Sequence, residues 1–305
     1  MAMLYPHAFF NDSIIAIDDA RISIASSAVL YGLSVYTVLP IIKTRHGMAG
    51  FCLFDHYHRL VNSAKIIGVD GFGDDWNFQK FEDIVKTLVR ENNITERTFI
   101  RASIHVSALV SGTRSRGLET IISMFAYEAS PIIPQDGARL KTSVWRRVPD
   151  YAIPSRAKVN GAYVNSVLGK QDALDSGYDD CLFLDDDGHV CELSAANIFM
   201  VRDGVLCTPH TSSDILEGIN RKTIIKIAKD IGIPTIERDI DLTELYIADE
   251  IFASGTSAFV APIVEIDARK IKNGDAGPIT ETLRSQYTLL MQGDLTAYNE
   301  MFTYI

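Results

Sequence analysis

Apolar residues recur every three to four positions in two segments of the first half of the chain. This spacing places them on one face of a helix, so it predicts helices over 55–67, where Gly68 supplies a stop, and over 81–89. Short runs rich in β-branched and aromatic residues lie before and between these segments and favour strands. The predicted strands of this half cover 13–17, 35–42, 99–106 and 120–126.

The second half contains three further helical segments, each followed directly by a glycine that marks its end. The predicted helices cover 163–176, 219–231 and 278–292. Asp-Gly turns that end at Gly188 and Gly204 separate short β-rich runs, which is a strong local signal for hairpins. The predicted strands of this half cover 140–148, 181–184, 189–192, 197–201, 205–208 and 250–253.

A stretch with two prolines and a glycine, 128–137, interrupts the pattern and is interpreted as an interdomain linker. It divides the chain into a small N-terminal domain, 1–127, and a larger C-terminal domain, 138–305. Strands and helices are mixed without regular βαβ alternation, and neither glycine-rich nucleotide-binding motif occurs. The predicted fold class is therefore α/β, of the α+β kind, in two domains.

Composition and charge exclude several partners. The net charge of −10 argues against nucleic acid, because phosphate contacts need a basic face. No apolar run is long enough to span a membrane, and no signal peptide is evident. The four cysteines form no C-x-x-C pair, which suits a reducing compartment. We therefore expect a cytoplasmic protein without a nucleic-acid or membrane partner.

Two segments have the composition of anion-binding cradles, although neither is decisive alone. At Gly218 a glycine precedes a helix whose first turn carries free N–H groups. The segment 254–258 follows a predicted strand and supplies small residues and hydroxyls. His56 and His58 are two positions apart and face different sides of a helix, so no metal site is predicted.

Three charged residues are ambiguous when each is considered alone. Lys158 and Arg59 are interpreted most simply as surface charges. Glu192 ends a predicted strand that should be partly buried, and a buried carboxylate needs a partner.

The order of motifs along the second half is more informative than any one of them. The motifs occupy 157–166, 177–185, 188–192, 197–199, 203–209, 216–221 and 248–258. In this order the chain resembles class IV aminotransferases, the fold-type IV pyridoxal 5′-phosphate (PLP) enzymes, and among them the branched-chain amino acid aminotransferases. The resemblance implies a small N-terminal and a larger C-terminal α/β domain, PLP as cofactor, amino acid and 2-oxo acid substrates, and a homodimer or larger homo-oligomer.

The resemblance also implies a role for each residue that matches a family motif. Lys158 matches the lysine that forms a Schiff base with the cofactor and then carries the proton. Glu192 matches the carboxylate that faces the pyridine nitrogen, Tyr163 the hydroxyl that bonds the phenolic oxygen, and Leu216 the residue packed against the ring. The residues implied to hold the phosphate are Arg59, Ile219, Asn220 and Thr256.

Substrate binding is implied for a second set. The backbone of Thr256 and Ser257 matches the loop that holds the α-carboxylate. Arg101 matches the arginine that also meets the second carboxylate of glutamate. An apolar side chain of the substrate would contact the rings of Tyr36, Phe99, Tyr127 and Tyr163.

The chain departs from the family pattern at several positions. Tyr127 stands near where the pocket of branched-chain enzymes often has tryptophan, and 193–196 replaces a glycine-rich stretch that contains glutamate. Thr37 stands where branched-chain enzymes usually carry glutamate, and Phe99 lacks the hydroxyl of their tyrosine. Asn220 replaces the usual threonine, although an amide still donates hydrogen bonds. The cofactor residues are therefore intact, whereas the substrate pocket is altered.

The function implied is PLP-dependent transamination between a branched-chain or other hydrophobic L-amino acid and 2-oxoglutarate. A D-amino acid or (R)-amine transaminase, or an aminodeoxychorismate lyase, on the same fold stays open as the alternative, because the pocket residues differ. A non-catalytic protein of this fold is disfavoured, because Lys158, Glu192 and Arg59 are all present.

Overall fold

A computed structural model describes residues 2–72 and 76–305. The described helices are α1 (Ser27–Leu30), α2 (Leu53–Ile66), α3 (Phe78–Glu91), α4 (Tyr163–Asp175), α5 (Ile219–Asp230), α6 (Leu242–Leu245) and α7 (Pro278–Met291). The described strands are β1 (Leu4–Phe10), β2 (Ser13–Ala16), β3 (Ser34–Thr44), β4 (Gly47–Phe51), β5 (Thr98–Val106), β6 (Thr120–Glu128), β7 (Ala138–Thr142), β8 (Asp180–Leu184), β9 (Val190–Leu193), β10 (Asn197–Arg202), β11 (Val205–Thr208), β12 (Thr235–Glu237), β13 (Glu250–Gly255), β14 (Phe259–Ile266), β15 (Arg269–Lys270) and β16 (Phe302–Tyr304).

The chain forms two compact units, and both are discontinuous in sequence. The first unit contains residues 1–130, 157–162 and 290–305, and the second contains 131–156 and 163–289. The fold is thus mixed α/β in two parts, as predicted. The proposed domain limits, with a linker at 128–137, stay a prediction.

The first unit is built on an antiparallel sheet with the strand order β16-β4-β3-β5-β6-β1-β2. Alternate residues of β5, among them Ile100, Ala102 and Ile104, point into the core, as the period of a half-buried strand requires. Helices α2 and α3 cover this face. The apolar stripe of α3, including Phe81 and Val85, is buried against it.

One side of β3 pairs with two different segments of the chain. Strand β4 pairs only with the end of β3, from Ile41 onward. Residues 157–162 cover the beginning: the Tyr36 N–H donates to the Lys158 carbonyl at 3.0 Å, and the Asn160 N–H donates to the Ser34 carbonyl at 2.8 Å. This short segment therefore belongs to the sheet although it lies far from it in sequence.

The second unit contains a nine-stranded mixed sheet. Its path runs β12-β11-β10-β13-β14-β7-β8-β9, and β15 pairs with β14. The pair Asn197 and Glu192 joins β9 back to β10, so that six of these strands form a closed ring. The hairpins predicted at Gly188 and Gly204 are present, and both glycines have the positive φ that such turns need.

The strand predicted over 140–148 is wrong in its second half, because β7 ends at Thr142. Beyond it the Ser143 hydroxyl accepts a hydrogen bond from the Trp145 N–H, which turns the backbone away from a regular ladder. Val144 and Trp145 are exposed there. None of the helices described in the structure has the length and apolar character needed to cross a membrane.

Candidate active site

Lys158 is held by its backbone on both sides in the first unit. Its carbonyl pairs with Tyr36 on β3, and its N–H donates to the Ser63 hydroxyl of α2 at 3.0 Å. The Ser63 hydroxyl in turn donates to the Arg59 carbonyl at 2.7 Å. The Lys158 Nζ lies 4.9 Å from the centroid of the Tyr36 ring. The lysine is therefore positioned by β3 and α2 together.

One face of α2 carries His56, Arg59 and Ser63, at the spacing of neighbouring helical turns. Thr37 on β3 contacts this face: its Oγ1 lies 2.8 Å from His56 Nδ1 and accepts a hydrogen bond from Arg59 Nη2 at 2.9 Å. Among residues 2–72 and 76–305, no group of three or more His, Cys, Asp or Glu is placed so that it could hold a metal ion.

Positive charge is concentrated around His56. Burial lowers the pKa of His56 well below its usual value, and the charges of Arg59 and Lys158 lower it further. His56 is therefore neutral at physiological pH. Two cations close enough to affect one buried imidazole form a region that favours an anion.

The opposite face of the sheet carries the residues implied to meet the substrate side chain. Arg101 Cζ lies 3.6 Å from the centroid of the Tyr36 ring, and its Nη2 donates to Asn160 Oδ1 at 3.1 Å. Phe99 and Tyr127 are directly opposed on β5 and β6, with ring centroids 5.7 Å apart. Burial raises the pKa of Tyr127, while the nearby charge of Arg101 opposes this. The structure thus brings together one arginine and three rings.

Glu192, in the second unit, is held by several hydrogen-bond donors. It is buried, and its Oε1 forms an ion pair of 2.7 Å with Arg147 Nη2. Asn197 Nδ2 donates to its Oε2 at 3.0 Å, and the Leu216 N–H donates to the carboxylate at 3.3 Å. Because every one of these groups is a donor, Glu192 is held as an anion.

The two cradles predicted from sequence lie side by side in the second unit. Asn220, in the first turn of α5, donates from Nδ2 to the Gly255 carbonyl at 2.8 Å, directly before the turn that contains Thr256 and Ser257. The same Nδ2 donates to the Tyr287 hydroxyl at 2.8 Å. The expectation that this amide donates to a phosphate is thus unsupported, because both of its hydrogens already have acceptors. A phosphate role for this helix start stays a prediction, and it would rest on backbone N–H groups.

Glycine is required at the start of α5 for a steric reason. A Cβ on Gly218 would lie 2.1 Å from Asn197 Oδ1. The side chain that fixes Glu192 therefore occupies the space in front of this helix end, and only a glycine N-cap leaves room for it. Leu216, shortly before this glycine, is half-buried, and Tyr163 is the half-buried first residue of α4.

Sequence reasoning missed four residues that fix the site: Arg147, Asn197, Ser63 and Tyr287. A signal existed only for the first of them. The expectation that a buried Glu192 needs a partner calls for a cation, and Arg147 supplies it. The others act through hydrogen bonds between elements that are distant in sequence, for which the chain gives no local pattern.

Comparison with known proteins identifies the family to which the chain belongs. The family described as amino-transferase class IV matches residues 34–266. A probable branched-chain-amino-acid aminotransferase of Synechocystis is 35% identical over 303 residues, which cover 98% of this chain and 97% of that protein. The branched-chain aminotransferase of Thermoproteus uzoniensis, solved with norvaline, has a TM-score of 0.93 at 34% identity and covers 99% of both chains.

A third similar protein is the branched-chain amino acid aminotransferase of Thermobaculum terrenum, solved in its PLP-form. Its TM-score is 0.91 at 29% identity, over 98% of both chains. A family match over most of the chain, together with a relative 35% identical along nearly its full length, establishes membership. The chain belongs to the class IV aminotransferase family and is an aminotransferase.

Proposed function

We propose that this enzyme uses PLP to transfer the amino group of a branched-chain or similar hydrophobic L-amino acid to 2-oxoglutarate. The observation that carries the proposal is one face of the sheet. On it Arg101 lies against the Tyr36 ring, and the rings of Phe99 and Tyr127 pack together. Apolar rings suit a hydrophobic side chain, and a single arginine suits the second carboxylate of glutamate. The similar proteins from Synechocystis and Thermoproteus uzoniensis are named for the same substrate class.

The residues present fit PLP by their chemistry. This cofactor has a phosphate at one end and a ring nitrogen that binds a proton. In the second unit, the helix start capped by Gly218 offers N–H groups to an anion. Glu192, which accepts from the Leu216 N–H shortly before that glycine, offers a carboxylate to a protonated nitrogen. In the first unit, Arg59 adds a cation and Lys158 an amine.

When bound, PLP supplies an electron-withdrawing ring that stabilises negative charge at the substrate Cα. Lys158 is assigned the covalent bond to the cofactor and then the movement of the proton from Cα, and its backbone contacts to Ser63 and Tyr36 fix the place from which its amine acts. Glu192 would offer its carboxylate to the protonated ring nitrogen. Arg59 is assigned to the phosphate, as are the N–H groups at the start of α5, and Tyr163 would bond the phenolic oxygen.

Substrate selection is the decisive test of this function. The purified enzyme with PLP is assayed against L-leucine, L-isoleucine, L-valine, D-alanine and an (R)-amine, with 2-oxoglutarate as acceptor. Turnover of the L-amino acids, with little of the other two, supports the proposal. Turnover confined to D-alanine or the (R)-amine would replace it with the alternative, and pyruvate release from aminodeoxychorismate would indicate a lyase.

Arg59→Ala is expected to weaken PLP binding to the apoenzyme by roughly 10- to 100-fold, because a charge-assisted hydrogen bond to phosphate is lost. The measurement is the dissociation constant of PLP from fluorescence titration. Lys43→Ala, which removes an exposed cation paired with Glu96, is the matched control and should change little. An unchanged constant for Arg59→Ala would show that this arginine does not bind the phosphate.

We also propose a homodimer or larger homo-oligomer. Residues 25–27 hydrogen bond to 108–110. Exposed apolar side chains lie on both sides of this contact, on α1 at Val29 and Leu30 and in the other segment at Leu109 and Val110. Clustered exposed apolar side chains are typical of protein interfaces. Sedimentation at assay concentration should show a dimer or larger species, and Leu109→Asp combined with Val110→Asp should shift it toward the monomer. A fully active monomer of the unmodified chain would contradict this.

A cytoplasmic location is proposed on the basis of cysteine chemistry. Cys181, Cys191 and Cys207 are buried free thiols. Burial raises the pKa of the Cys181 and Cys191 thiols far above the usual value, so neither is ionised at physiological pH. Thiols kept in this state suit a reducing compartment. Fractionation of cells that produce the chain, with a marker for each compartment, tests the location.

A further inference from the structure

Three side chains on α2 and β3 form a hydrogen-bonded chain. Arg59 is a donor at all of its nitrogens, so Thr37 Oγ1 accepts from Arg59 Nη2 at 2.9 Å. The Thr37 hydroxyl also bonds to His56 Nδ1, 2.8 Å away, and the imidazole tautomer sets which of these two atoms donates. Thr37 therefore links the Arg59 guanidinium to the His56 ring.

Burial protects these hydrogen bonds. Thr37 and His56 are both completely buried, so water does not compete for their hydrogen bonds. Burial and the neighbouring charges of Arg59 and Lys158 lower the pKa of His56 and oppose its charged form. His56 Nε2 finds no hydrogen-bond partner within the part of the chain that the structure describes, so the ring makes its contact with Thr37 through Nδ1.

We infer that Thr37 and His56 are positioning residues for PLP: they hold the Arg59 guanidinium in the orientation in which it binds the phosphate. A hydroxyl is suited to this task because it accepts from the guanidinium without adding a negative charge of its own. The inference rests on the proposed role of Arg59.

Thr37→Val is the sharpest test, because it keeps the shape of the side chain and removes only the hydroxyl. Dissociation constants are measured on the apoenzyme for PLP and for pyridoxal, which has the same ring and aldehyde but no phosphate. We expect Thr37→Val to weaken PLP binding by roughly tenfold and to leave pyridoxal binding unchanged. Thr37→Ser, which keeps the hydroxyl, should restore PLP affinity.

Thr98→Val is the matched control. Thr98 is a buried threonine of the same sheet, and its hydroxyl bonds to the Glu96 carbonyl and to Tyr5, away from Arg59. It should lose some thermal stability with no selective loss of PLP over pyridoxal. His56→Leu should reduce PLP affinity less than Thr37→Val, because the hydroxyl still accepts from Arg59 and loses only its contact with the ring.

The outcomes separate this inference from the proposed function. PLP affinity unchanged in Thr37→Val, with affinity lost in Arg59→Ala, would overturn the positioning role and leave the role of Arg59 intact. Equal losses of PLP and pyridoxal in Thr37→Val would also overturn it, because they would indicate general damage to the fold. Unchanged affinity in Arg59→Ala would remove the phosphate role of Arg59 and this inference together.

Discussion

Replacement of Lys158 by alanine is expected to abolish transamination. The Lys158 backbone is fixed by β3 and by Ser63, and its Nζ lies against the Tyr36 ring, so the amine acts from a defined place. The variant loses both the covalent bond to the cofactor and the group that moves the proton. Single-turnover assays with L-leucine should show no detectable product, and the visible absorption band of the lysine-bound cofactor should be absent.

The design of this experiment must exclude a folding defect. Lys43→Ala, at an exposed ion pair of the same unit, should keep full activity. The thermal transition of Lys158→Ala should stay close to that of the unmodified apoenzyme, because the backbone contacts of residue 158 do not involve its side chain. Normal turnover together with a normal cofactor spectrum would rule out this assignment of the lysine.

Arg101→Ala is expected to act on one half-reaction far more than on the other. Glutamate carries a second carboxylate, and a carboxylate without a partner against the rings of Phe99 and Tyr127 costs several kcal/mol. The value of kcat/KM for glutamate and for 2-oxoglutarate should fall by roughly 100-fold or more, which corresponds to about 3 kcal/mol. With leucine, whose side chain needs no cation, the loss should be small.

The structure explains why Arg101 is ready for this role before substrate binds. Its guanidinium lies against the Tyr36 ring and donates to Asn160, so little side-chain freedom is left to lose. Arg139→Ala, which removes an exposed arginine paired with Glu265, is the control. Equal losses for leucine, isoleucine, glutamate and 2-oxoglutarate would show instead that Arg101 holds the α-carboxylate that all substrates share.

Helices and strands with a strong local hydrophobic pattern could be predicted. Strands that form only because neighbouring strands pair with them could not. Helices α2 and α3 and strands β5 and β6 lie where the hydrophobic spacing predicts them. Strand β4 contains two glycines in five residues, which disfavours a strand, and it forms because β3 and β16 pair with it on both sides. Strand β1 likewise contains a proline and depends on pairing with β2 and β6.

The same distinction applies to the site. Lys158 and Glu192 are assigned to the site because their motifs follow one another in a recognisable order, not because of a local property that is specific to the reaction. The contact of Thr37 with His56 requires β3 to pack on α2, and the contact of Asn220 with Gly255 requires α5 to lie beside the end of β13. Residue spacing does not indicate either packing arrangement, so these hydrogen bonds could not be predicted from the sequence alone.

The discontinuity of the first unit has a consequence for synthesis on the ribosome. When residues 1–130 have emerged, β4 still lacks β16, and the beginning of β3 still lacks residues 157–162. Both are open strand edges, which are sites of mispairing between nascent chains. Vectorial folding therefore cannot complete this unit first, although it begins first. The N-terminal sheet is complete only when Phe302 pairs with Phe51, so its final strand pairing is delayed until β16 has left the exit tunnel.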